Sequence, residues 1–387
     1  MGALAGAIGR ALACALAAVV AAAGPACADA PTYGINAQFL LPNQSPSRWS
    51  VHLDAMARDA IAVVRSDADW GTAEPRPPVM GRRTFDWRKY DSTVAELAKR
   101  GLRWLPIADY AAWWDRAIPL VGHSPPADIK LYAGYAAALA ARYGPGGAFW
   151  QAHPELRPVP VDAVEAWNEP DSASYWAPTP NPARYADLYL ATRAAVHAAA
   201  PEVQVLVGGL TRDPPGFVRA MVASRPAVRD ALDGVGIHPY AASPAGVMGR
   251  IAGLRTTLSD LGLGSLPIDV TEVGWHTRGL PLSSDVPDAI RGQAYAQLAE
   301  TLPTSNCGVE RFVPHTWVTA ERNPLDAEDW FGIAHPDGRP SQTATAYAAA
   351  IDRVRDGTAA PAALPSCPAG ARPAVGAGAW MGIGSAG

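Results

Sequence analysis

VDAVEAWNEP, residues 161–170, is an apolar run that ends abruptly at Asn-Glu-Pro. Its length and composition predict a short buried strand, which Pro170 must end because proline cannot donate a backbone hydrogen bond. Glu169 is therefore expected at the carboxyl end of a strand. A second stretch of the same design, IDVTEVGW at residues 268–275, would place Glu272 at another strand end. Catalytic residues of α/β proteins lie at such ends, so the two carboxylates indicate an active site.

Short apolar runs alternate with helix-like segments from Tyr33 to about Arg353, which is the pattern of repeated β/α units. Eight strands are predicted, over residues 33–39, 61–67, 103–108, 163–167, 203–208, 234–238, 268–272 and 311–317. Eight such units favour an α/β fold with a single (β/α)8 TIM barrel and extended βα loops. A doubly wound open sheet is the alternative, but residues 35–39, INAQF, lack its glycine-rich phosphate turn.

Both ends of the chain differ from the predicted barrel. Arg10, the apolar residues 11–23 and Ala26-Cys27-Ala28 predict a signal peptide over residues 1–28, and hence a secreted or extracytoplasmic protein. A membrane anchor would need about 20 apolar residues, more than this run provides. Lipid attachment at Cys27 is a poorer alternative, because the preceding residues lack the usual aliphatic side chain. The barrel would then occupy residues 29–356, followed by an Ala/Pro/Gly-rich, mostly disordered tail over 357–387.

Composition narrows the possible partners. With a net charge of −4, 18% charged residues and no basic run, the chain is not expected to bind nucleic acid or, after signal removal, a membrane. A monomer is expected. Cys307 and Cys367 would remain after signal cleavage, and two cysteines in an oxidising compartment predict one disulfide that tethers the tail. The alternative is two unpaired buried thiols.

The residues at the predicted strand ends are unusually polar. They are Arg65, Asp67, Asp109, Tyr110, Asn168, Glu169, His238, Tyr240, Glu272, His315 and Trp317. Buried charges are costly unless they are paired, so this ring indicates either ion pairs or a functional site. Asp67, Asp109 and His315 are each expected to be satisfied loop or supporting groups rather than catalysts.

These residues carry a family resemblance: the chain resembles the glycoside hydrolases of clan A, the retaining β/α-barrel group. The resemblance covers nearly all of the predicted barrel. Its motifs are Trp167-Asn168-Glu169-Pro170 on strand four, Glu272 in Thr-Glu-Val-Gly-Trp on strand seven, His238-Pro239-Tyr240 on strand six, Arg65 on strand two and Trp317 on strand eight.

Two sequence features bear on which family of the clan the chain resembles most. Relatives of family 5 usually carry a histidine at the end of strand three, where this chain has Ile107-Ala108-Asp109-Tyr110. This departure favours the family 39 type or a family 5-like relative. Family 39 xylosidases usually add an accessory β-sandwich, and no strand pattern for one follows the barrel.

The resemblance implies a role for each motif residue. Glu169 would be the general acid/base and Glu272 the nucleophile of a retaining glycosidase. Asn168 would hydrogen-bond the sugar 2-hydroxyl. Arg65 would keep Glu272 ionised, and Tyr240 would hydrogen-bond it. Trp317 would form the floor of the reactive subsite. His238 would either contact the sugar or orient a neighbouring side chain.

The chain has thirteen tryptophans but only six phenylalanines. Indole rings stack on pyranose rings, although about half of these tryptophans are expected in the core because the residue is highly buried on average. Trp113, Trp114 and Trp275 follow predicted strands and are the candidates for a substrate groove. A groove of this kind favours endo-action on a polysaccharide or oligosaccharide.

Other classes of protein have weaker support. The sequence has no metal-binding motif, nucleotide-binding loop or Gly-x-Ser-x-Gly elbow, so no metal or other cofactor is expected. A lyase or aldolase would be expected to use a metal or a lysine at a strand end. The main alternative is a non-catalytic carbohydrate-binding protein on a glycosidase-like barrel, although such a protein would need neither glutamate.

Overall fold

The computed structural model describes residues 30–41, 46–281 and 285–368. The predicted signal peptide, residues 1–28, and residues 369–387 of the predicted tail lie outside the described residues. Eight parallel strands form a closed barrel in chain order, so the predicted barrel is confirmed and the open sheet is excluded. The strands are β1 (Thr32–Asn36), β2 (Val63–Asp69), β3 (Arg103–Asp109), β4 (Ala163–Ala166), β5 (Gln204–Leu210), β6 (Gly234–Ile237), β7 (Ile268–Val270) and β8 (Val309–Phe312).

Helices connect the strands. They are α1 (Pro46–Arg58), α2 (Trp70–Ala73), α3 (Arg88–Ala98), α4 (Ile129–Tyr143), α5 (Ala148–Ala152), α6 (Pro182–Ala199), α7 (Pro214–Ser224), α8 (Pro244–Asp260), α9 (Asp288–Thr301) and α10 (Gln342–Arg355). The start of α6 illustrates how the sequence defines them. The Asn181 side chain accepts a hydrogen bond from the Arg184 backbone N–H, and Pro182 occupies the first turn, where no backbone donor is needed.

The strands end earlier than predicted on one side of the barrel. β7 ends at Val270, two residues before Glu272, and β8 ends at Phe312, five residues before Trp317. Both segments continue as loops at the carboxyl end of the barrel. The side chains that follow β8 are therefore positioned by loop contacts rather than by strand alternation.

The main core lies between the strands and the helices. Inside the barrel, Val63, Leu105, Ala163 and Leu206 form a separate apolar cluster. The buried Arg311 guanidinium binds the Asp269 carboxylate at 2.8 Å. Within the described residues, no helix is both long and apolar enough to cross a membrane.

The disulfide predicted between Cys307 and Cys367 is present in the structure, with the two Cα atoms 5.0 Å apart. The segment leading to Cys367 also bonds to the end of α9. The backbone N–H of Ala360 donates to Glu300, and that of Ala362 donates to Thr301. The described part of the predicted tail, residues 357–368, is therefore held against the barrel.

Candidate active site

A cavity of about 450 Å³ opens at the carboxyl ends of the strands. Five of the predicted site residues line it: Arg65, Asn168, Glu169, Tyr240 and Glu272. The lining also includes Asp67 of β2 and residues of the surrounding loops, among them Phe39, Tyr110, Tyr175, His315, Glu328 and Phe331. The barrel thus brings together side chains that are far apart in the sequence.

Glu169 and Glu272 face each other across this cavity. One carboxylate oxygen of each lies within 4.8 Å of the other. Carboxyl groups about 5–5.5 Å apart are typical of retaining glycosidases, whereas inverting enzymes separate them by roughly 6.5–9.5 Å to admit a water molecule. The upper bound of 4.8 Å on this pair of oxygens lies below the inverting range.

The backbone at the end of β4 adopts an unusual conformation. Trp167 and Glu169 both have left-handed φ angles, of 72° and 46°, which are uncommon for residues other than glycine. The fully buried Trp167 indole anchors the turn by donating to the Tyr175 carbonyl oxygen at 2.7 Å. Strained backbone persists only where its surroundings hold it, and it clusters at functional sites. Here it accompanies the change of direction that carries Glu169 into the cavity.

Arg65 organises the base of the cavity from β2. Its side chain is fully buried, and its guanidinium donates to Glu272 and Glu165 at 2.6 Å each. The same group donates to the side-chain oxygens of Asn36 and Asn168 at 3.0 Å each. The predicted contact between Arg65 and Glu272 is therefore present, and the bond to Asn168 orients its amide.

Glu165 was not predicted as a site residue. Its fully buried carboxylate binds Arg65 and also accepts from the Gly209 backbone N–H at 2.6 Å and the Thr271 hydroxyl at 3.0 Å. Its position in the middle of the apolar run 161–167 could have identified Glu165 from the sequence, because a buried carboxylate needs a cation or several donors. The charge of Arg65 is thus shared between two glutamates.

His238 connects the two candidate catalytic groups from beneath the cavity. Its Nδ1 lies 2.9 Å from Glu169 and 3.6 Å from Glu272, and its ring is fully buried. Burial alone would lower the pKa of His238, but the carboxylates of Glu272 and Glu169 outweigh burial and raise it. Of the two roles considered for His238, orientation of its neighbours fits this position better than contact with a sugar.

The electrostatics of Glu272 favour its ionised form. Burial alone would raise its pKa, but the charges of His238 and Arg65 outweigh burial and lower the pKa to about 2. The Tyr240 hydroxyl donates to Glu272 at 2.9 Å, as predicted. Glu272 is therefore an anion at neutral pH and is held in position by directed donors.

Close packing around His238 depends on two glycines of β5. A Cβ atom on Gly209 would lie 1.9 Å from His238 Nε2, and one on Gly208 would lie 2.2 Å from the Trp167 carbonyl oxygen. Neither distance leaves room for a side chain. Gly208 and Gly209 thus allow β5 to approach β4 and β6 closely beneath the site.

Trp317 does not occupy the predicted position. Its indole is buried against α1 and donates to His52 Nδ1 at 3.1 Å, and it does not line the cavity. His315 lines the cavity instead, with its Nδ1 3.8 Å from Glu272. The reason lies in the loop after β8, where the backbone N–H of His315 bonds towards β7 and that of Trp317 bonds towards β1.

The remaining predicted tryptophans also lie outside the cavity. The Trp275 indole donates to the Ala241 carbonyl oxygen and packs edge-on against Tyr295. Trp114 packs edge-on against Trp70. Trp113 is 62% exposed, and its indole donates to the backbone of the neighbouring loop. None of the three tryptophans contributes to a groove at the two glutamates.

Two aspartates at the carboxyl ends of β2 and β3 have raised pKa values. Burial, followed by the nearby carboxylates, raises the pKa of Asp67 to about 6 and that of Asp109 well above its usual range. Asp109 is fully buried, and within the described residues neither of its carboxylate oxygens accepts a hydrogen bond. Burial without a hydrogen-bond partner favours the uncharged form of Asp109, so it is not the satisfied anion that was expected.

Glu169, His238 and Glu272 also form a group of possible metal ligands, with one donor atom from each within 4.8 Å of the others. Carboxylates and histidine are ligand types that zinc accepts. However, the Arg65 guanidinium already neutralises Glu272 at 2.6 Å. The positive charge of Arg65 opposes a second cation at the same carboxylate.

No family model matches the sequence, and no curated protein is similar to it. Solved structures resemble it at low identity. A family 39 glycoside hydrolase from Bacteroides cellulosilyticus WH2 is 19% identical with a TM-score of 0.63, over 84% of this chain and 64% of that one. A monomeric β-xylosidase from Caulobacter crescentus CB15 is 17% identical with a TM-score of 0.60, over 82% and 67%.

GH5_18 from Streptomyces cattleya, solved with GlcNAc, is 17% identical with a TM-score of 0.60, over 87% of this chain and 83% of that one. The chain spans slightly less than two thirds of the family 39 structure from Bacteroides. At these identities the likeness concerns the fold. It agrees with the predicted resemblance to clan A barrels of the family 39 or family 5 type.

Proposed function

We propose that the protein is a retaining glycoside hydrolase that acts on an oligosaccharide or polysaccharide through a covalent glycosyl-enzyme. The observation that carries this proposal is the Glu169–Glu272 pair, with carboxylate oxygens within 4.8 Å and Arg65 bound to Glu272. The structural neighbours support it, since they are glycoside hydrolases of the same barrel type.

In the first step, an oxygen of Glu272 attacks the anomeric carbon while Glu169 gives its proton to the glycosidic oxygen. The bond between that oxygen and the anomeric carbon breaks, the leaving sugar departs, and an ester to Glu272 forms. In the second step, Glu169 takes a proton from water, whose oxygen attacks the anomeric carbon and releases Glu272.

Neighbouring groups prepare this reaction. Arg65 and Tyr240 donate to the two oxygens of Glu272, so the nucleophile is ionised and oriented before substrate arrives. The Asn168 amide oxygen accepts from Arg65, so only its NH2 group, which also bonds to Tyr110, can donate to a sugar hydroxyl. Groups fixed in this way need no reorganisation during the reaction.

Endo-action and export are further parts of the proposal. Trp113 and Trp114, from which endo-action was predicted, do not line the cavity. The rate at which polysaccharide viscosity falls, relative to the release of reducing ends, separates endo- from exo-action. Export would be supported by an amino terminus at Asp29, which amino-terminal sequencing of the secreted protein measures.

The catalytic assignment is tested by substitution. Glu169→Gln and Glu272→Gln should each abolish turnover of aryl β-glycosides of xylose, glucose or mannose, or of their β-1,4-disaccharides, without loss of folded structure. Azide should partly restore turnover in Glu272→Gly, because the small anion replaces the missing nucleophile. Wild-type-like rates in either glutamine variant would refute the assignment. Binding of sugars by calorimetry without any turnover would instead favour a carbohydrate-binding protein.

A further inference from the structure

A second cavity, of about 360 Å³, lies beside the first. Phe39 and Glu328 line both cavities and therefore stand at the boundary between them. Each cavity is near the small end of the range of roughly 300–1,000 Å³ for small-ligand sites. Their adjacency suggests two consecutive binding positions rather than two unrelated sites.

The second cavity lies on a defined side of the two glutamates. Its walls come from the segment after β1, including His52 of α1, and from the loop after β8. β4, which delivers Glu169, is on the opposite side of the closed barrel. The leaving group must lie beside Glu169 because this residue protonates the glycosidic oxygen. A sugar in the second cavity is therefore on the side away from the leaving group.

The lining of the second cavity suits an uncharged sugar. Phe39 is 39% exposed and offers an aromatic surface at the boundary. Two arginines and three carboxylates surround the space, so both hydrogen-bond donors and acceptors are available without an excess of positive charge. An acidic sugar would meet more carboxylates than arginines. Neutral pyranose hydroxyls can use both types of group.

We propose that the second cavity binds the neutral pyranose that follows the reactive sugar on its non-reducing side. The inference rests on the proposed glycosidase function and makes it more specific. It means that the preferred substrate presents at least two sugar units before the cleaved bond. The released product would then be a disaccharide or longer fragment rather than a monosaccharide.

Ala320 provides a direct test, because it lines only the second of the two cavities and is exposed. Ala320→Trp would fill the space with little risk to folding. The matched control is Ala152→Trp, at an exposed alanine at the end of α5 that lines neither cavity. Substrates are p-nitrophenyl β-glycosides of xylose, glucose and mannose, and of the corresponding β-1,4-disaccharides.

The wild type should hydrolyse the best disaccharide glycoside with a kcat/KM about 10-fold or more above its monosaccharide counterpart, and mass spectrometry should find the intact disaccharide. Ala320→Trp should lower kcat/KM for the disaccharide glycoside by about 10-fold, because one tenfold step in transition-state binding is lost. Its kcat/KM for the monosaccharide glycoside should stay within about 2-fold of the wild-type value. Ala152→Trp should behave like the wild type.

Three results would each overturn the inference while leaving a glycosidase in place. They are equal kcat/KM values on both substrate classes, cleavage of the disaccharide into monosaccharides, and an equal effect of Ala320→Trp on both classes. Hydrolysis of no member of either series, nor of polysaccharides, would instead count against the proposed function itself.

Discussion

Gly209→Ala should disable the site without touching either glutamate. The added Cβ would lie 1.9 Å from His238 Nε2, whereas Cβ atoms in proteins essentially never approach closer than 3.0 Å. The ring or the strand must therefore move by about 1.1 Å. His238 is fully buried between β5 and the two glutamates, so the ring cannot rotate into solvent.

A displacement of this size acts on both activity and stability. A misplacement of about 1 Å in a catalytic constellation can cost roughly 100-fold in rate. Overpacking of a buried position typically destabilises by about 1–3 kcal/mol. We expect kcat/KM on the best aryl glycoside to fall about 100-fold, with a smaller loss of stability that leaves the protein folded at the assay temperature.

The control is Gly249→Ala in the middle of α8, where an added Cβ meets no atom within 4 Å. That variant should keep full activity and gain about 0.5–1 kcal/mol, because alanine is favoured over glycine inside a helix. Steady-state kinetics and urea unfolding measure both effects. Activity of Gly209→Ala within about 3-fold of the wild type would refute the role assigned to His238.

Two other predictions concern the charge of Glu272 and the disulfide. The pKa of Glu272 is lowered to about 2, from an ordinary value of about 4.3, so its stabilising contribution is complete above the ordinary value and is lost as the pH falls towards 2. In urea unfolding, the stability difference between the wild type and Glu272→Gln should therefore shrink from pH 6 to pH 3, and a constant difference would contradict the lowered pKa. Removing the Cys307–Cys367 bridge, which links residues 60 apart, by a double serine substitution should cost up to about 4 kcal/mol. The denatured mature protein should contain no titratable thiol, and two thiols would show that the bridge does not form.

The fold and the position of the candidate catalytic pair could be predicted from sequence because both follow local rules. Short apolar runs define the strands, and Pro170 sets a limit that β4 cannot pass, which predicts that Glu169 follows the carboxyl end of this strand. The closure of a parallel barrel then brings the ends of β4 and β7 together.

The aromatic residues were harder to predict because loops position them. Trp317 and His315 are two residues apart, and only the hydrogen bonds of the loop after β8 decide which of them reaches the cavity. Trp113 follows β3 closely but turns to a neighbouring loop, where its indole finds a carbonyl partner. Such partners depend on long-range contacts that residue spacing does not encode.

Arg65 binds two carboxylates, and this has a consequence for the reaction cycle. In the proposed mechanism Glu272 loses its negative charge when it becomes an ester, and an arginine with that single partner would become an isolated cation inside the barrel. Glu165, which binds Arg65 at 2.6 Å and takes no part in the proposed chemistry, would remain as its counter-ion. The proposed covalent intermediate would then contain no uncompensated buried charge.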